Sequence, residues 1–281
     1  MSVHFSPVIA ASERGKDPFR LKAVDLKQLG ATNSPVTVLD DFRVRGRPFE
    51  PHPHAGFSAV TYVFEDSPGE LRSRDSLGND MIVGPGGIVW TQAGSGIVHH
   101  EVPAGSRELH GLQLFVNLSA QNKLIEPRMM LLQSSQIPVW RNANGDAVRV
   151  VVGTYDGVSS PLTPPEPFQF LEVHLNREVS VDLPAGDIAL VYVVSGDIIV
   201  GDDGNQHRIS ESHALSIAGD GASVVFQSLQ AAHFLILSGA PISDPMLARG
   251  PFIMNSKEQI EAAAARYQAG EMGYLAPLPD K

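Results

Sequence analysis

Apolar and polar residues alternate along much of this chain with the period of two that marks a strand with one buried face. The clearest run is L-H-G-L-Q-L-F-V-N-L at 109–118. β-Branched residues gather at 35–43, 57–64, 81–90 and 97–103, and turn-forming clusters separate them: S-P-G at 67–69, S-L-G-N-D at 76–80 and G-P-G-G at 84–87. Short strands broken by tight turns predict an all-β antiparallel sandwich or barrel.

The pattern weakens over 119–145. Residues 126–140 read as a connector with a short strand, W-R-N-A-N-G-D at 140–146 is turn-rich, and the Pro/Ser loop at 157–167 is unsuited to a helix. Strands resume at 168–175, 179–183, 188–200, 206–210, 213–218, 222–228 and 232–238. This second run reads as a degenerate copy of the first. Val60-Thr61-Tyr62-Val63-Phe64 lies on Leu190-Val191-Tyr192-Val193-Val194, and Ala93-Gly94-Ser95-Gly96 lies on Ala218-Gly219-Asp220-Gly221. Two domains are therefore expected, 1–135 and 136–281. One helix is expected at 256–269, opened by a Ser256/Gln259 capping box and ended by Gly270. Ile260, Ala264 and Tyr267 would share its packing face.

Length and composition agree with this picture. The 281 residues suffice for two ordinary domains, and 43% hydrophobic with 19% charged residues is a globular balance. A formal charge of −10 without a basic stripe argues against nucleic-acid or anionic-membrane partners. The chain has no cysteine, so any metal site must be built from His, Asp and Glu. No signal-peptide pattern opens the sequence and no segment is apolar for the length of a bilayer. A soluble, cytoplasmic protein is expected.

Two short stretches carry candidate chemistry. P-H-P-H at 51–54 places His52 and His54 two residues apart, and V-H-H-E at 98–101 does the same for His99 and Glu101. Residues i and i+2 of a strand point to one side, so two such strands side by side bring three imidazoles and a carboxylate together. That donor set suits Fe(II), Mn, Co, Ni, Cu or Zn, and four protein ligands would leave positions open for reaction. In the second run the matching positions are Asp182, Pro184, Val224 and Phe226, so only the first domain is expected to hold a metal. His100 alternates to the other face, and His110 reads as structural. His174, His207, His213 and His233 lack paired spacing and also read as structural. Gly84, Gly86 and Gly87 form a turn rather than a phosphate cradle, and no nucleophile elbow or dinucleotide fingerprint is present.

The segments H-P-H-x-G-F…V-T-Y-V, D-S-L-G, V-W-T-Q-A-G-S-G-I-V-H-H-E-V-P, L-H-G-L-Q-L-F-V-N-L and G-P-F-I-M-N resemble the pirin family of two-domain cupins. The resemblance is dense over 35–135 and weaker through 168–270. It implies a bicupin, two antiparallel β-barrels with one iron (Fe2+) in the first, held by His52, His54, His99 and Glu101. Two positions depart from the family pattern: Ser58 stands where a glutamate is usual and Ser95 where an arginine is usual. Some pirin-like proteins are quercetin 2,3-dioxygenases, which open a flavonol with O₂ and release carbon monoxide. That activity implies Glu101 as the base for the flavonol 3-hydroxyl, with Phe57, Val60, Trp90, Ile97 and Phe115 around the rings. A second implication is a non-enzymatic, iron-containing redox sensor whose partner is a transcription factor or metabolic enzyme. A sugar-isomerase-like cupin is less supported, because no motif lies outside the pirin pattern.

Overall fold

The computed structural model describes residues 3–30, 34–202 and 205–279. Contacts group the chain into two units that do not follow chain order. One contains Arg14–Leu21, Val38–Ser134 and the chain from Ile242 onward; the other contains the chain up to Glu13, Lys22–Thr37 and Ser135–Pro241. The expected division at 135/136 therefore differs from the contact units at both ends. Val3–Phe5 adds an edge strand beside His213–Gly219, and Phe252 bridges to Ala55 next to His54.

In the unit centred on Val38–Ser134, a larger sheet runs in the order Arg128–Leu132, Ile88–Gln92, Phe57–Val63, Leu109–Asn117, Val36–Val44, Phe19–Ala23 and Ser12–Lys16. A smaller sheet runs His52–His54, Ile97–Pro103, Leu71–Asp75 and Asp80–Val83. The β-branched stretch 81–90 forms two strands, Asp80–Val83 and Ile88–Gln92, separated by the turn read at 84–87, with Gly86 at φ +78° and the Gly87 N–H donating to the Gly84 carbonyl. The helix Lys257–Gln268 starts as expected, with the Ser256 hydroxyl accepting from the Gln259 N–H. Gln259 reaches back to the N–H of Asn255. Its buried face is Ile260 and Ala263, while Tyr267 is exposed, a rotation from the expected face. Ile260 and Ala263 pack with Phe252, Met254 and Met272 against Ala55 and Val98, each next to a histidine of the two motifs.

The other unit repeats the plan. Its larger sheet contains His213–Gly219, Ile188–Ser195, Ala232–Gly239, Gln169–Leu175 and Ala147–Val152 in that order. Its smaller sheet runs Glu178–Leu183, Ala222–Gln227, Asp197–Asp202 and Asn205–Ser210. The expected strand 188–200 is interrupted by Gly196 at φ +79°. The interior is filled by apolar side chains, among them Leu171, Val173, Val191, Val193, Phe226, Phe234 and Ile236. Register corrects the sequence alignment by one residue. His52 pairs with His99, and in the copy Val181 pairs with Val224. The counterparts of His52 and His54 are thus Val181 and Leu183, not Asp182 and Pro184, and both belong to the apolar core.

Gly56 follows the first motif at φ +84°, where a β-carbon would run into the Ile253 carbonyl oxygen. Gly56→Ala is expected to cost about 2–4 kcal/mol through left-handed strain plus displacement of the Phe252–Met254 strand. Chemical denaturation of wild type and variant measures it; an unchanged midpoint would mean that the tail does not brace this strand.

Candidate metal centre

Strand alternation turns His52, His54, His99 and Glu101 toward the interior of the first barrel. Register sets His99 opposite His52 and Ile97 opposite His54 on adjacent antiparallel strands. The three imidazole rings lie 4.6–4.9 Å apart centre to centre, and one ligand atom from each falls within 4.8 Å of the others. The Nε2 atoms of His52 and His99 are 3.2 Å apart. Cis ligands about 2.1 Å from one ion stand roughly 3.0–3.4 Å apart, so this separation matches a ligand edge.

Protonation follows from the partners. His52 Nδ1 lies 2.8 Å from the Glu50 carbonyl, which can only accept, so Nδ1 carries a hydrogen and Nε2 is the nitrogen turned toward the group. Burial lowers the His54 pKa to about 3, helped by the neighbouring His52 and opposed by the Pro251 carbonyl. Burial also holds His99 well below the usual range, with His54, His52 and His100 adding to the effect. Both are neutral at physiological pH, the form that binds a transition ion. The donors present fit such an ion.

Glu101 lines the same cavity but is not among the atoms within 4.8 Å of each other. Its Oε2 accepts from the Thr61 hydroxyl at 2.5 Å and its Oε1 from the Ser73 hydroxyl at 3.0 Å. Burial raises its pKa, and these two hydrogen bonds oppose the rise.

The four groups open onto a cavity of about 210 Å³ walled by Phe19, Phe42, Phe49, Phe115, Leu21 and Leu109. Asp40 enters from the opposite sheet, its pKa raised by burial against the pull of Arg14. Of the five pocket residues expected from sequence, Phe115 lines this cavity and the other four do not. Phe57 is buried behind it, its ring 5.1 Å from His54 and 4.5 Å from Phe115. Val60 and Trp90, cross-strand partners, share the face turned away, because the inward positions of their strands include Ala59, Thr61 and Val89. Ile97 is fully buried beside His54 without reaching the lining. Ser58 also faces away from the cavity, and the Ser95 carbonyl accepts from Arg266 of the tail helix at 2.7 Å.

The remaining histidines are dispersed as expected, with one exception. His100 points away and meets the Phe49 carbonyl at 2.9 Å, and His110 sits between Asp41 and Asp66. His207 packs against Phe5 with the ring planes tilted by 36°, and His213 meets the Glu211 carbonyl. His174 and His233, far apart in sequence, come together with Glu172. The signal that could have drawn attention to them is E-V-H at 172–174, an i, i+2 pair like those of the first barrel.

Family models match both halves of the chain: Pirin over 11–116 and Pirin C-terminal cupin domain over 170–273. Human Pirin is 34% identical over 246 residues, covering 85% of this chain and 83% of the human one. The chain belongs to the pirin family. A Pseudomonas aeruginosa protein with a provisional quercetin 2,3-dioxygenase name is 32% identical over 250 residues, covering 84% of this pirin and 86% of that protein. The crystal structure of quercetin 2,3-dioxygenase from Acinetobacter baumannii superposes with a TM-score of 0.86 at 24% identity, covering 98% of this chain and 100% of the other. The two cupin barrels are thus a family trait, and no helix among the described residues is long and apolar enough to cross a membrane.

Thr61→Val removes one of the two donors that offset the burial of Glu101. In metal-free protein at neutral pH it is expected to cost about 1–3 kcal/mol. Because Glu101 has a raised folded-state pKa, the ionised form is the penalised one. The cost should therefore fade as pH falls through that pKa and the carboxyl protonates. Denaturation across pH 4–8 measures this, and a pH-independent loss would contradict the hydrogen-bond account.

Proposed function

We propose that this pirin is a metal-dependent dioxygenase acting on a flavonol or similar aromatic enol, with His52, His54, His99 and Glu101 as the ligand set. The carrying observation is that three imidazoles and a carboxylate share one cavity with four phenylalanines in its walls. The quercetin dioxygenase name of the Pseudomonas relative supports the same reaction class. When bound, an ion of this donor class supplies Lewis-acid character and a path for electrons to O₂, and Fe2+ is the ion the family resemblance implies.

The chain's own residues supply the rest. Glu101, raised in basicity by burial, accepts the proton of the substrate 3-hydroxyl, and Thr61 and Ser73 hold its two oxygens in place. Phe19, Phe42, Phe49 and Phe115 take the flat rings and keep bulk water from the reacting carbons. The His52 hydrogen bond to Glu50 keeps its Nε2 turned inward throughout. Opening of the flavonol by O₂ then releases carbon monoxide.

Metal content and turnover test this. Protein purified without added metal should carry a transition ion by elemental analysis, and His52→Ala should lose most of it. Aerobic, iron-loaded protein should bleach the quercetin absorbance band. Glu101→Gln should slow bleaching by about 10²–10⁴-fold. In wild type kcat/KM should fall on acidification as Glu101 takes up a proton, because it must be ionised to act as base. A metal-loaded wild type that leaves the band intact, beside an active control enzyme, would sink the flavonol reading and favour the non-catalytic one. A fully active, fully loaded Glu101→Gln would remove Glu101 from the mechanism.

A further inference from the structure

In the C-terminal barrel, Glu172 and His174 stand two residues apart on strand Gln169–Leu175, and register sets His174 directly opposite His233 on Ala232–Gly239. The residues that alternate with them, Leu171, Val173, Phe234 and Ile236, belong to the apolar core, so the three polar side chains face the other way. One ligand atom from each lies within 4.8 Å of the others. The two rings stack, with centroids 4.5 Å apart and planes 12° from parallel. His233 Nε2 is 2.9 Å from Glu172 Oε1, and Arg149, opposite Glu172 on Ala147–Val152, reaches Oε2 at 2.7 Å.

We propose that Glu172, His174 and His233 form a second metal site, for a divalent ion of the Zn2+ class, on the outer face of this sheet. Two imidazoles and one carboxylate are a common donor set for Zn2+, with the remaining position left to water. The 2.9 Å separation of His233 Nε2 and Glu172 Oε1 is a hydrogen-bond contact, and it needs to open by only about 0.5 Å to become the edge between two tetrahedral ligands about 2.1 Å from an ion. Arg149 fixes the buried carboxylate through its other oxygen, the outer support that ligating carboxylates usually have. Glu172 is buried while both imidazoles are partly exposed, so an ion arrives from the imidazole side. Ligation by His174 requires its ring to turn out of the stack, so the metal-free arrangement is the stacked one. The Arg149 charge offsets that of Glu172, which makes this the weaker of the two donor groups.

The experiment uses the full chain with His52→Ala and His54→Ala, so that the first group cannot report. Calorimetric titration with Zn2+ should show one equivalent bound, and Zn2+ should raise the thermal midpoint. Adding His174→Ala should abolish both effects. His233→Gln is the sharper variant, because the amide can still donate to Glu172 while losing the imidazole; it should keep the metal-free midpoint and lose Zn2+ binding. If the starting variant takes up no Zn2+ up to millimolar concentration, or if either added substitution leaves binding unchanged, the cluster is an ion-pair network only and the proposal falls.

Discussion

The constraint on which the first barrel depends is the antiparallel register that places His52 opposite His99. A slip of one residue would turn all four polar groups to the other face of the smaller sheet and put Pro53, Val98 and His100 in their place. The register is held from outside by the tail. Phe252 and Met254 lie against Ala55 and Val98, and Ile260 and Ala263 of the helix close over them. Gly56, in a conformation that favours glycine, lets the tail strand approach. The helix contributes no group to the cavity, yet the strands that do are braced by it.

The two barrels show what the same topology does with opposite interiors. In the C-terminal copy Val181, Leu183, Val224 and Phe226 occupy the positions of His52, His54, His99 and Glu101, and the interior closes into one continuous apolar cluster. In the first barrel, polar groups at those positions cannot be packed without partners, and the apolar residues divide into smaller clusters around a cavity. Burial then acts on the imidazoles as it acts on any base, driving off the proton and leaving lone pairs available. A hollow interior and neutral histidines are two results of one substitution pattern.

Much of this was legible in the sequence because strand periodicity is local. The paired spacing of His52 and His54, and of His99 and Glu101, needed only alternation to be read, and the capping box at Ser256 needed only four residues. What failed needed knowledge of facing and register. Val60 and Trp90 are apolar residues near the motif, but parity of position sends them to the opposite face. Phe19, Leu21 and Phe49 come from the N-terminal hairpin and an irregular loop, where no pattern ties them to the histidines. Aligning blocks by eye gave Asp182 in place of Val181, since a one-residue offset is invisible without the pairing partner. His174 and His233 meet only across a strand pair whose members lie far apart in the chain.

Glu101 brings these strands of reasoning to one point. Its carboxylate has two hydroxyl donors, Thr61 from the larger sheet and Ser73 from the smaller. Donors of that kind favour the charged form, while the apolar walls favour the neutral one, and burial wins because the pKa ends above its ordinary value. A carboxylate balanced in this way is a better proton acceptor than one held by an arginine, whose charge would depress its basicity. Neither donor is itself charged, so proton uptake by Glu101 requires no counter-charge to move. The two hydroxyls therefore fix the direction of the carboxylate while lowering its basicity by less than burial raises it.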